Sequence, residues 1–313
     1  MTRAFVFPGQ GSQTVGMGKA LADAFPQARA VFEEVDEALL QKLSTIIFEG
    51  PSDELTLTAN AQPALMAVSI ATTRVLEAEA GLDLSKHAAF VAGHSLGEYS
   101  ALAAAGAFSL SDAARLLRIR GDAMQKAVPV GEGAMAALIG LDFEQAAAIA
   151  RDAAQGEVCD PANDNGGGQV VVSGAKAAVE RAVALAQERG AKRAIILPVS
   201  APFHCALMAP AADAMREALA AVTVSAPVVP VVANVEAAPV SDPDAIRAAL
   251  VAQVTGTVRW RESVAFMAEA GVAQFFELGA GKVLTGLVKR IAAGASGQAI
   301  GSPEDVARYQ ETL

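Results

Sequence analysis

The sequence has few residues of the kinds that hold metals or form disulfide bonds. Its 313 residues include two cysteines, Cys159 and Cys205, and three histidines. Two isolated cysteines make neither a disulfide framework nor the core of a zinc site, and three scattered histidines do not complete one. We therefore expect a reduced, cytoplasmic protein without a bound metal.

Positive charge and long apolar runs are also scarce. The chain has 24 Lys and Arg residues against 34 Asp and Glu residues, a formal net charge of −10 at pH 7. A field of this sign repels nucleic acids and anionic membrane surfaces, which argues against both as general partners. No apolar run is long enough to span a bilayer, and no signal-peptide pattern is found. An anionic substrate would therefore have to meet a local basic group.

Apolar residues make up 53% of the chain, although aromatic ones are only 5%. A chain of this size buries about three quarters of the surface that it exposes when unfolded. Short apolar segments bounded by Gly or Pro predict strands, and longer segments with helical periodicity predict helices. In the first part these are strands at 4–7 and 88–93 and helices near 18–38, 63–80, 96–105 and 111–127, the last with Ser111 as N-cap.

From about residue 128 short strands and helices alternate, which predicts an inserted α+β domain of about 70 residues. Its elements are strands at 134–139, 169–173 and 192–198 and helices at 142–154 and 175–189. The run 166–168 of three glycines is interpreted as a turn, because no Lys-Ser/Thr pair follows it. After Pro198 the earlier pattern returns, with helices near 207–221, 243–254, 259–270 and 281–293 and a strand at 274–278. The tail from Gly294 is expected to be partly mobile.

The segment Gly93-His94-Ser95-Leu96-Gly97 lies between an apolar strand and an Ala-rich helix. This is the context of a nucleophile elbow, in which glycines permit a tight turn that exposes a serine hydroxyl. Ser95 would also stand at a helix N-terminus, where free N–H groups and the dipole stabilise an oxyanion. The alternative is an ordinary turn, because so short a pattern also arises by chance.

A nucleophilic serine needs a base, and the three histidines are the candidates. The side chain of His94 should point away from the neighbouring serine, and His87 is interpreted as a surface residue. His204 ends the kinked apolar segment 199–204 directly after the inserted domain, where its imidazole could face a cleft between the domains. The adjacent Cys205 should face the other way, into the core. A packed, non-catalytic histidine is the alternative.

Arg120 interrupts an apolar stripe on the helix predicted at 111–127. The stripe consists of Ala113, Leu116, Leu117 and Met124, which recur at helical spacing. Arg120 falls in the middle of this stripe and should point inward. An inward guanidinium must be paired, either with a carboxylate of the protein or with a substrate carboxylate held in bidentate fashion. The residues alone favour the structural ion pair and leave both alternatives open.

Five segments, taken together and in order, resemble the malonyl-CoA:acyl carrier protein transacylase family over nearly the whole chain. They are 7–13, Gly93–Tyr99, Arg120-Gly121, Phe203-His204 and Glu277–Leu287. In the family they correspond to the N-terminal loop, the nucleophile elbow, the carboxylate-binding arginine, the general-base segment, and the C-terminal strand and helix.

The resemblance implies an acyltransferase, an [acyl-carrier-protein] S-malonyltransferase of fatty acid biosynthesis that works by ping-pong transfer. Ser95, activated by His204, would take the malonyl group from malonyl-CoA and pass it to holo acyl carrier protein. The backbone N–H groups of Gln10 and Leu96 would form the oxyanion hole. The enzyme would need no cofactor of its own, because the partner carries the phosphopantetheine.

The resemblance also implies roles for residues around this pair. Arg120 would bind the malonyl carboxylate, and Gln253 would orient the histidine through a main-chain carbonyl. Gln62 would be a further polar residue of the cleft. Phe203 resembles the malonyl-selecting version of related domains, in which a bulky ring fills the space that an α-methyl group needs. Methylmalonyl-CoA should therefore be a poor substrate.

The expected fold class is α/β. A large α/β-hydrolase-like domain with a mostly parallel sheet would comprise residues 1–127 and 199–313, and an inserted small ferredoxin-like α+β domain would comprise residues 128–198. A monomer is expected by family analogy. The carrier protein is usually acidic, as this chain is, so docking needs a local basic patch. Lys192-Arg193 and Lys289-Arg290 are the candidates.

Two other functions fit parts of the pattern. A serine hydrolase of the α/β type would use the same elbow with water as acceptor, but its histidine lies near the C-terminus, and a long segment follows His204 here. A non-catalytic malonyl-CoA-binding protein would keep the pocket without turnover, although all the expected catalytic groups are present. The residues leave open whether the enzyme serves a fatty acid or a polyketide pathway, and which carrier protein it uses.

Overall fold

The structure, a computed structural model, describes residues 2–311 and contains two β-sheets. The strands are β1 (Thr2–Phe7), β2 (Phe90–Gly93), β3 (Gly133–Ile139), β4 (Cys159–Asp164), β5 (Gln169–Ala175), β6 (Arg193–Ile196), β7 (Val231–Val232), β8 (Pro239–Val240), β9 (Val272–Leu278) and β10 (Ser296–Ile300). The helices are α1 (Lys19–Ala24), α2 (Pro26–Leu39), α3 (Leu43–Glu49), α4 (Ser52–Thr56), α5 (Thr58–Ala80), α6 (Leu84–His87), α7 (Gly97–Ala104), α8 (Leu110–Ala127), α9 (Phe143–Ala154), α10 (Lys176–Glu188), α11 (Ala209–Ala220), α12 (Pro243–Thr255), α13 (Trp260–Glu269), α14 (Val283–Ile291) and α15 (Pro303–Gln310). No helix in this part of the chain combines the length and the apolar character needed to cross a membrane.

The large sheet has the strand order β10-β9-β1-β2-β7-β8 and is parallel except for the β7–β8 pair. Strand β1 is buried from Ala4 to Phe7, as expected for a parallel strand covered by helices on both faces. Phe7 at its end pairs in register with Gly93 at the end of β2. The loops after these two strands therefore meet at the carboxyl edge of the sheet, where open α/β sheets bind their ligands.

Helices α5 and α8 approach each other closely at Gly121. A Cβ atom at this position would lie 2.6 Å from the Cα atom of Ala59, which is closer than carbon atoms can pack. Glycine therefore allows the two backbones to touch. The contact brings Arg120 on α8 to Gln62 on α5, with 2.7 Å between Nη1 and Oε1.

The small sheet has the order β4-β5-β3-β6 and is antiparallel throughout. Because α9 follows β3 and α10 follows β5, the unit has the β-α-β-β-α-β sequence of ferredoxin-like folds. The predicted fold class, a large mostly parallel sheet plus a small ferredoxin-like unit, is confirmed. Gly166, Gly167 and Gly168 form the turn between β4 and β5, with φ values of 72°, 60° and 73° that favour glycine.

The prediction of Ser111 as the N-cap of α8 was wrong. The cap is Ser109, whose Oγ accepts the N–H of Asp112 at 3.0 Å. Ser109 has the extended backbone that a cap requires, whereas Ser111 already lies within the helix. The hydroxyl of Ser111 donates instead to Glu34 at 2.9 Å.

Two further predictions were wrong. The single helix expected near 18–38 is two helices, because Pro26 has no N–H to continue α1 and instead occupies the first turn of α2. The tail expected to be partly mobile forms β10, which pairs with β9, and then α15. Only Ile300 of β10 is fully buried, so the strand lacks a strong apolar pattern, but Tyr309 anchors α15 in the core.

Strand β4 of the small sheet is attached directly to the segment before α13. Val258 donates its N–H to Ala162 O at 2.8 Å and accepts the N–H of Asp164 at 2.9 Å. The hydroxyl of Thr257 donates to Pro161 O at 2.6 Å. These bonds hold the end of β4 beside the carboxyl edge of the large sheet, where the two sheets enclose a cleft.

Candidate active site

Ser95 stands on a turn between β2 and α7 that only glycines permit. A Cβ atom at position 93 would lie 1.8 Å from Gly97 O, and one at position 97 would lie 2.3 Å from Phe7 O. Ser95 itself has a φ of 54°, the left-handed backbone of a nucleophile elbow. Its N–H donates to Asn234 Oδ1 at 2.7 Å, which fixes the turn from the next strand of the sheet.

His204 faces the serine hydroxyl with 2.7 Å between its Nε2 and Ser95 Oγ. On the other side of the ring, Nδ1 lies 2.8 Å from Gln253 O, a carbonyl that can only accept, so Nδ1 carries the proton and Nε2 is the free base. Burial and, second, the charge of Arg120 lower the pKa of His204 to about 3. The imidazole is therefore neutral at physiological pH, as a general base must be.

Arg120 is 2% exposed and points into the site. Its Nη1 donates to Gln62 Oε1 at 2.7 Å, and its Nη2 donates to Gln253 Oε1 at 2.9 Å and to Ser95 Oγ at 3.1 Å. Within residues 2–311 no carboxylate forms a salt bridge with it, so the structural ion pair considered above is not found. A buried guanidinium held by neutral acceptors is suited to bind the carboxylate of a ligand.

The side chain of Gln253 joins Arg120 and the elbow to Glu98. Its side-chain Nε2 donates to Ser95 O at 3.0 Å and to Glu98 Oε2 at 2.9 Å. Glu98 also accepts the N–H of Asn234 at 2.9 Å. Burial raises the pKa of the Glu98 carboxyl to about 7.

Gln10 and Leu96 line the same cleft as Ser95. Leu96 is the residue before α7, so its N–H belongs to the positive end of the helix. The side chain of Gln10 is fixed by Thr58, whose hydroxyl donates to Gln10 Oε1 at 2.9 Å. In the part of the chain that the structure describes, neither N–H donates to another protein group, which leaves both free for an oxyanion.

The cleft has a volume of about 480 Å³, and the small sheet contributes Met135 and Asn163 to its lining. The ring of His94 faces the small domain, with Nε2 2.9 Å from Asn165 Oδ1, as expected for a side chain that points away from the nucleophile. His87 is half-buried on α6, and Nδ1 accepts the N–H of Asp83 at 3.0 Å. Across residues 2–311 no group of three or more His, Cys, Asp or Glu side chains could hold a metal ion.

Three residues of this network, Glu98, Asn234 and Thr58, were not predicted from the sequence. Glu98 had a signal, because it is the single charge in the otherwise apolar helix α7. Asn234 had one as well, because it ends the apolar run of β7 at the edge where ligands bind. Thr58 had none, since its role depends on the packing of α5 against the loop that follows β1.

Comparison with known proteins places this site in a family. The family model of the acyl transferase domain matches residues 4–303. The malonyl CoA-acyl carrier protein transacylase of Escherichia coli (strain K12) is 50% identical over 308 residues, 98% of this chain and 98% of that protein. The protein of the same name from Bacillus subtilis (strain 168) is 47% identical over 311 residues, 99% of this chain and 96% of that protein.

Solved structures agree in fold as well as sequence. An acyl-carrier-protein-S-malonyltransferase from Bartonella henselae is 60% identical with a TM-score of 0.97, covering 100% of this chain and 99% of that chain. A type II PKS acyl-carrier protein in complex with its malonyl-transacylase gives 45% identity and a TM-score of 0.96, with 100% of each chain covered. Because these matches run nearly the full length, the chain belongs to the acyl transferase family and, within it, to the malonyl-CoA–acyl carrier protein transacylases.

Proposed function

We propose that this chain transfers the malonyl group of malonyl-CoA to the phosphopantetheine thiol of an acyl carrier protein, with Ser95 as nucleophile. The observation that carries the proposal is the position of the Ser95 hydroxyl between a base and a cation, 2.7 Å from His204 Nε2 and 3.1 Å from Arg120 Nη2. The base activates the nucleophile, and the cation selects an acyl group that bears a negative charge. The product supplies extender units for fatty acid biosynthesis.

In the first half-reaction, Ser95 Oγ attacks the thioester carbonyl while His204 Nε2 takes the hydroxyl proton. The negative charge that develops on the carbonyl oxygen is stabilised by the N–H groups of Gln10 and Leu96. The carbon–sulfur bond then breaks, the imidazolium returns its proton to the leaving thiolate, and coenzyme A departs. The malonyl group is left as an ester of the serine.

The second half-reaction runs the same steps with the carrier thiol as attacking group. His204 takes the thiol proton, the sulfur attacks the malonyl ester, and the serine oxygen leaves with the proton. Gln253 O, 2.8 Å from Nδ1, stabilises the imidazolium that forms in each half. The base is thus oriented by a main-chain carbonyl in place of the carboxylate of a Ser-His-Asp triad.

Selection of the acyl group depends on Arg120. Among the residues that the structure describes, the guanidinium has only neutral acceptors, and a malonyl carboxylate would give it a partner of opposite charge. Gln62 holds Nη1 from the opposite side at 2.7 Å. Phe203 lines the cleft next to the base and occupies the space that an α-methyl group would need, so methylmalonyl-CoA should react poorly.

We assign the chemistry to the large domain, residues 1–127 and 199–313, and place the small domain, residues 128–198, over the cleft. We also propose that the protein is a monomer. Both basic pairs predicted for docking are exposed, and Lys192 and Arg290 border the glycine turn of the small sheet. A Cβ at Gly167 would lie 2.9 Å from Arg290 Cδ, and a Cβ at Gly140 would lie 2.7 Å from Lys192 Cγ. Basic side chains at this turn would suit an acidic carrier protein.

Intact-protein mass spectrometry tests the function. Wild type and Ser95→Ala are exposed briefly to malonyl-CoA, and phosphopantetheinylated carrier protein is then added. We expect a malonyl adduct on the wild type only, which moves to the carrier. Free malonate in place of this transfer would indicate the hydrolase, and malonyl-CoA binding without an adduct would indicate a binding protein.

A further inference from the structure

A buried carboxylate beneath the nucleophile has no part in the steps above. Glu98 lies in the first turn of α7, three residues after Ser95, and is 2% exposed. Burial of a charged group is costly unless hydrogen bonds compensate it. Here Oε2 accepts two of them, from Gln253 Nε2 at 2.9 Å and from the N–H of Asn234 at 2.9 Å.

Glu98 and Arg120 together leave the side-chain amide of Gln253 a single orientation. Arg120 has only donors, so the atom 2.9 Å from its Nη2 must be the amide oxygen. An ionised Glu98 and the main-chain Ser95 O have only acceptors, so the atom that faces both of them must be the amide nitrogen, and Glu98 supplies the charged one of its two acceptors. Turning the amide over would set donor against donor and acceptor against acceptor. The amide is therefore locked between two opposite charges.

This lock acts on some parts of the site and not on others. The amide oxygen of Gln253 holds Arg120 Nη2, which lies 3.1 Å from Ser95 Oγ. The contact that orients His204 comes instead from the main-chain carbonyl of Gln253, which does not move when the side chain rotates. Loss of the lock should therefore disturb the guanidinium while the base keeps its orientation.

We infer that Glu98 is a positioning residue for carboxylate recognition, which locks the amide of Gln253 and through it the guanidinium of Arg120. The inference rests on the proposed function, since it takes Arg120 as the group that binds the malonyl carboxylate. Glu98 then sets the preference for acyl groups that carry a carboxylate. Acetyl-CoA, which has the same thioester but offers Arg120 no carboxylate, should be much less sensitive to its loss.

The test is the ratio of kcat/KM for malonyl-CoA to kcat/KM for acetyl-CoA, measured as adduct formation on Ser95. The ratio does not depend on the fraction of enzyme that is folded, so a merely structural defect leaves it unchanged. In Glu98→Ala the Gln253 amide keeps Ser95 O as an acceptor, but its other proton is left with only the long contact to Asn234 Oδ1 at 3.4 Å. The ratio should therefore fall about 5- to 150-fold, mostly through a higher KM for malonyl-CoA. Glu98→Gln retains an oxygen that can accept both hydrogen bonds and should restore most of the ratio.

Glu277 provides the matched control. It is also a fully buried carboxylate of the large domain, and it accepts the N–H groups of Leu284 and Thr285 at the start of α14. Glu277→Ala should leave the ratio unchanged even if it destabilises the protein. Glu98→Asp, whose carboxylate is withdrawn by one methylene group, is the second variant if Glu98→Ala does not fold, and it should lower the ratio in the same direction.

Two results would overturn the inference: an unchanged ratio in folded Glu98→Ala or Glu98→Asp, or an equal fall in Glu277→Ala. Failure of the proposed function looks different, because wild type would then pass no malonyl group from Ser95 to the carrier protein. The wild type therefore tests the proposed function, and the Glu98 variants test the inference, in the same experiment.

Discussion

The hydroxyl of Thr58 joins the predicted oxyanion hole to the carboxylate site, and its removal tests both. It donates to Gln10 Oε1 at 2.9 Å and accepts from Gln62 Nε2 at 3.1 Å. The direction of these two hydrogen bonds is fixed. Arg120 can only donate, so Gln62 presents its side-chain oxygen to Arg120 and its nitrogen to Thr58. The hydroxyl then has only its proton left for Gln10.

Thr58→Val keeps the shape of the side chain and removes the hydroxyl. Gln62 is 1% exposed, and its Nε2 would keep only Met124 Sδ at 3.9 Å, a weak acceptor. An unsatisfied buried donor costs about 1–3 kcal/mol. Gln10 is half-buried, so its oxygen can turn to water and adds little to this cost. We therefore expect the free energy of unfolding to fall by about 1–3 kcal/mol.

The same change should slow acylation, because the side chain of Gln10 loses its anchor while its N–H remains. The fall in kcat should be smaller than the about 100-fold that follows complete removal of an oxyanion-hole donor. Urea unfolding measures the stability and rapid-quench mass spectrometry measures acylation, with Thr58→Ser, which keeps the hydroxyl, as control. Wild-type stability together with a wild-type rate in Thr58→Val would refute the reasoning.

Two further predictions concern the elbow and the response to pH. Gly93→Ala should prevent formation of the elbow, because its Cβ would lie 1.8 Å from Gly97 O. The control Gly286→Ala should fold, because its Cβ would have no atom within 4 Å. Circular dichroism measures folding of both variants, and mass spectrometry measures adduct formation. The pKa of about 3 keeps His204 neutral, so kcat/KM for acetyl-CoA should show no acid limb near pH 6.5. The contribution of His204 to the free energy of unfolding should be complete above pH 6.5, the pKa of an unfolded histidine, and should be lost as the pH falls towards 3. Burial raises the pKa of Glu98, which faces the charges of Arg120 and Glu236, to about 7. A protonated Glu98 keeps a carbonyl oxygen that accepts both hydrogen bonds, as in Glu98→Gln, so the ratio of kcat/KM for malonyl-CoA to kcat/KM for acetyl-CoA should change little between about pH 8 and pH 6; a steep fall of this ratio below about pH 7 would contradict this.

Much of the fold could be predicted because its signals are local. The elbow combines an apolar strand, two glycines and a helix within a few residues, and Arg120 stands out because helical periodicity puts a charge on an apolar face. Where signals were weak or misplaced, prediction failed. Strand β10 has one fully buried residue, and two serines two positions apart, Ser109 and Ser111, both fit a cap.

The site is harder to predict because its contacts join distant segments. Ser95 and Gln253 are 158 residues apart, and the pairing of their O and Nε2 atoms exists only once the fold has brought the end of α12 to the elbow. The family resemblance supplied Gln253 and Gln62, but no pattern gave their hydrogen-bond partners. The roles of Glu98 and Thr58 follow from which neighbour can donate and which can accept, and that information exists only after folding.

The order of strands in the large sheet has a consequence for synthesis. Strand β1 is made first, but one of its two neighbours, β9, begins at Val272, which pairs with Thr2. A ribosome that adds about 5–20 residues per second synthesises β9 roughly 13–54 s after β1. During that time one edge of an apolar strand, carrying Phe5 and Phe7, has no partner, and such edges invite aggregation. The nascent chain should therefore expose this edge of β1 until β9 has left the ribosome.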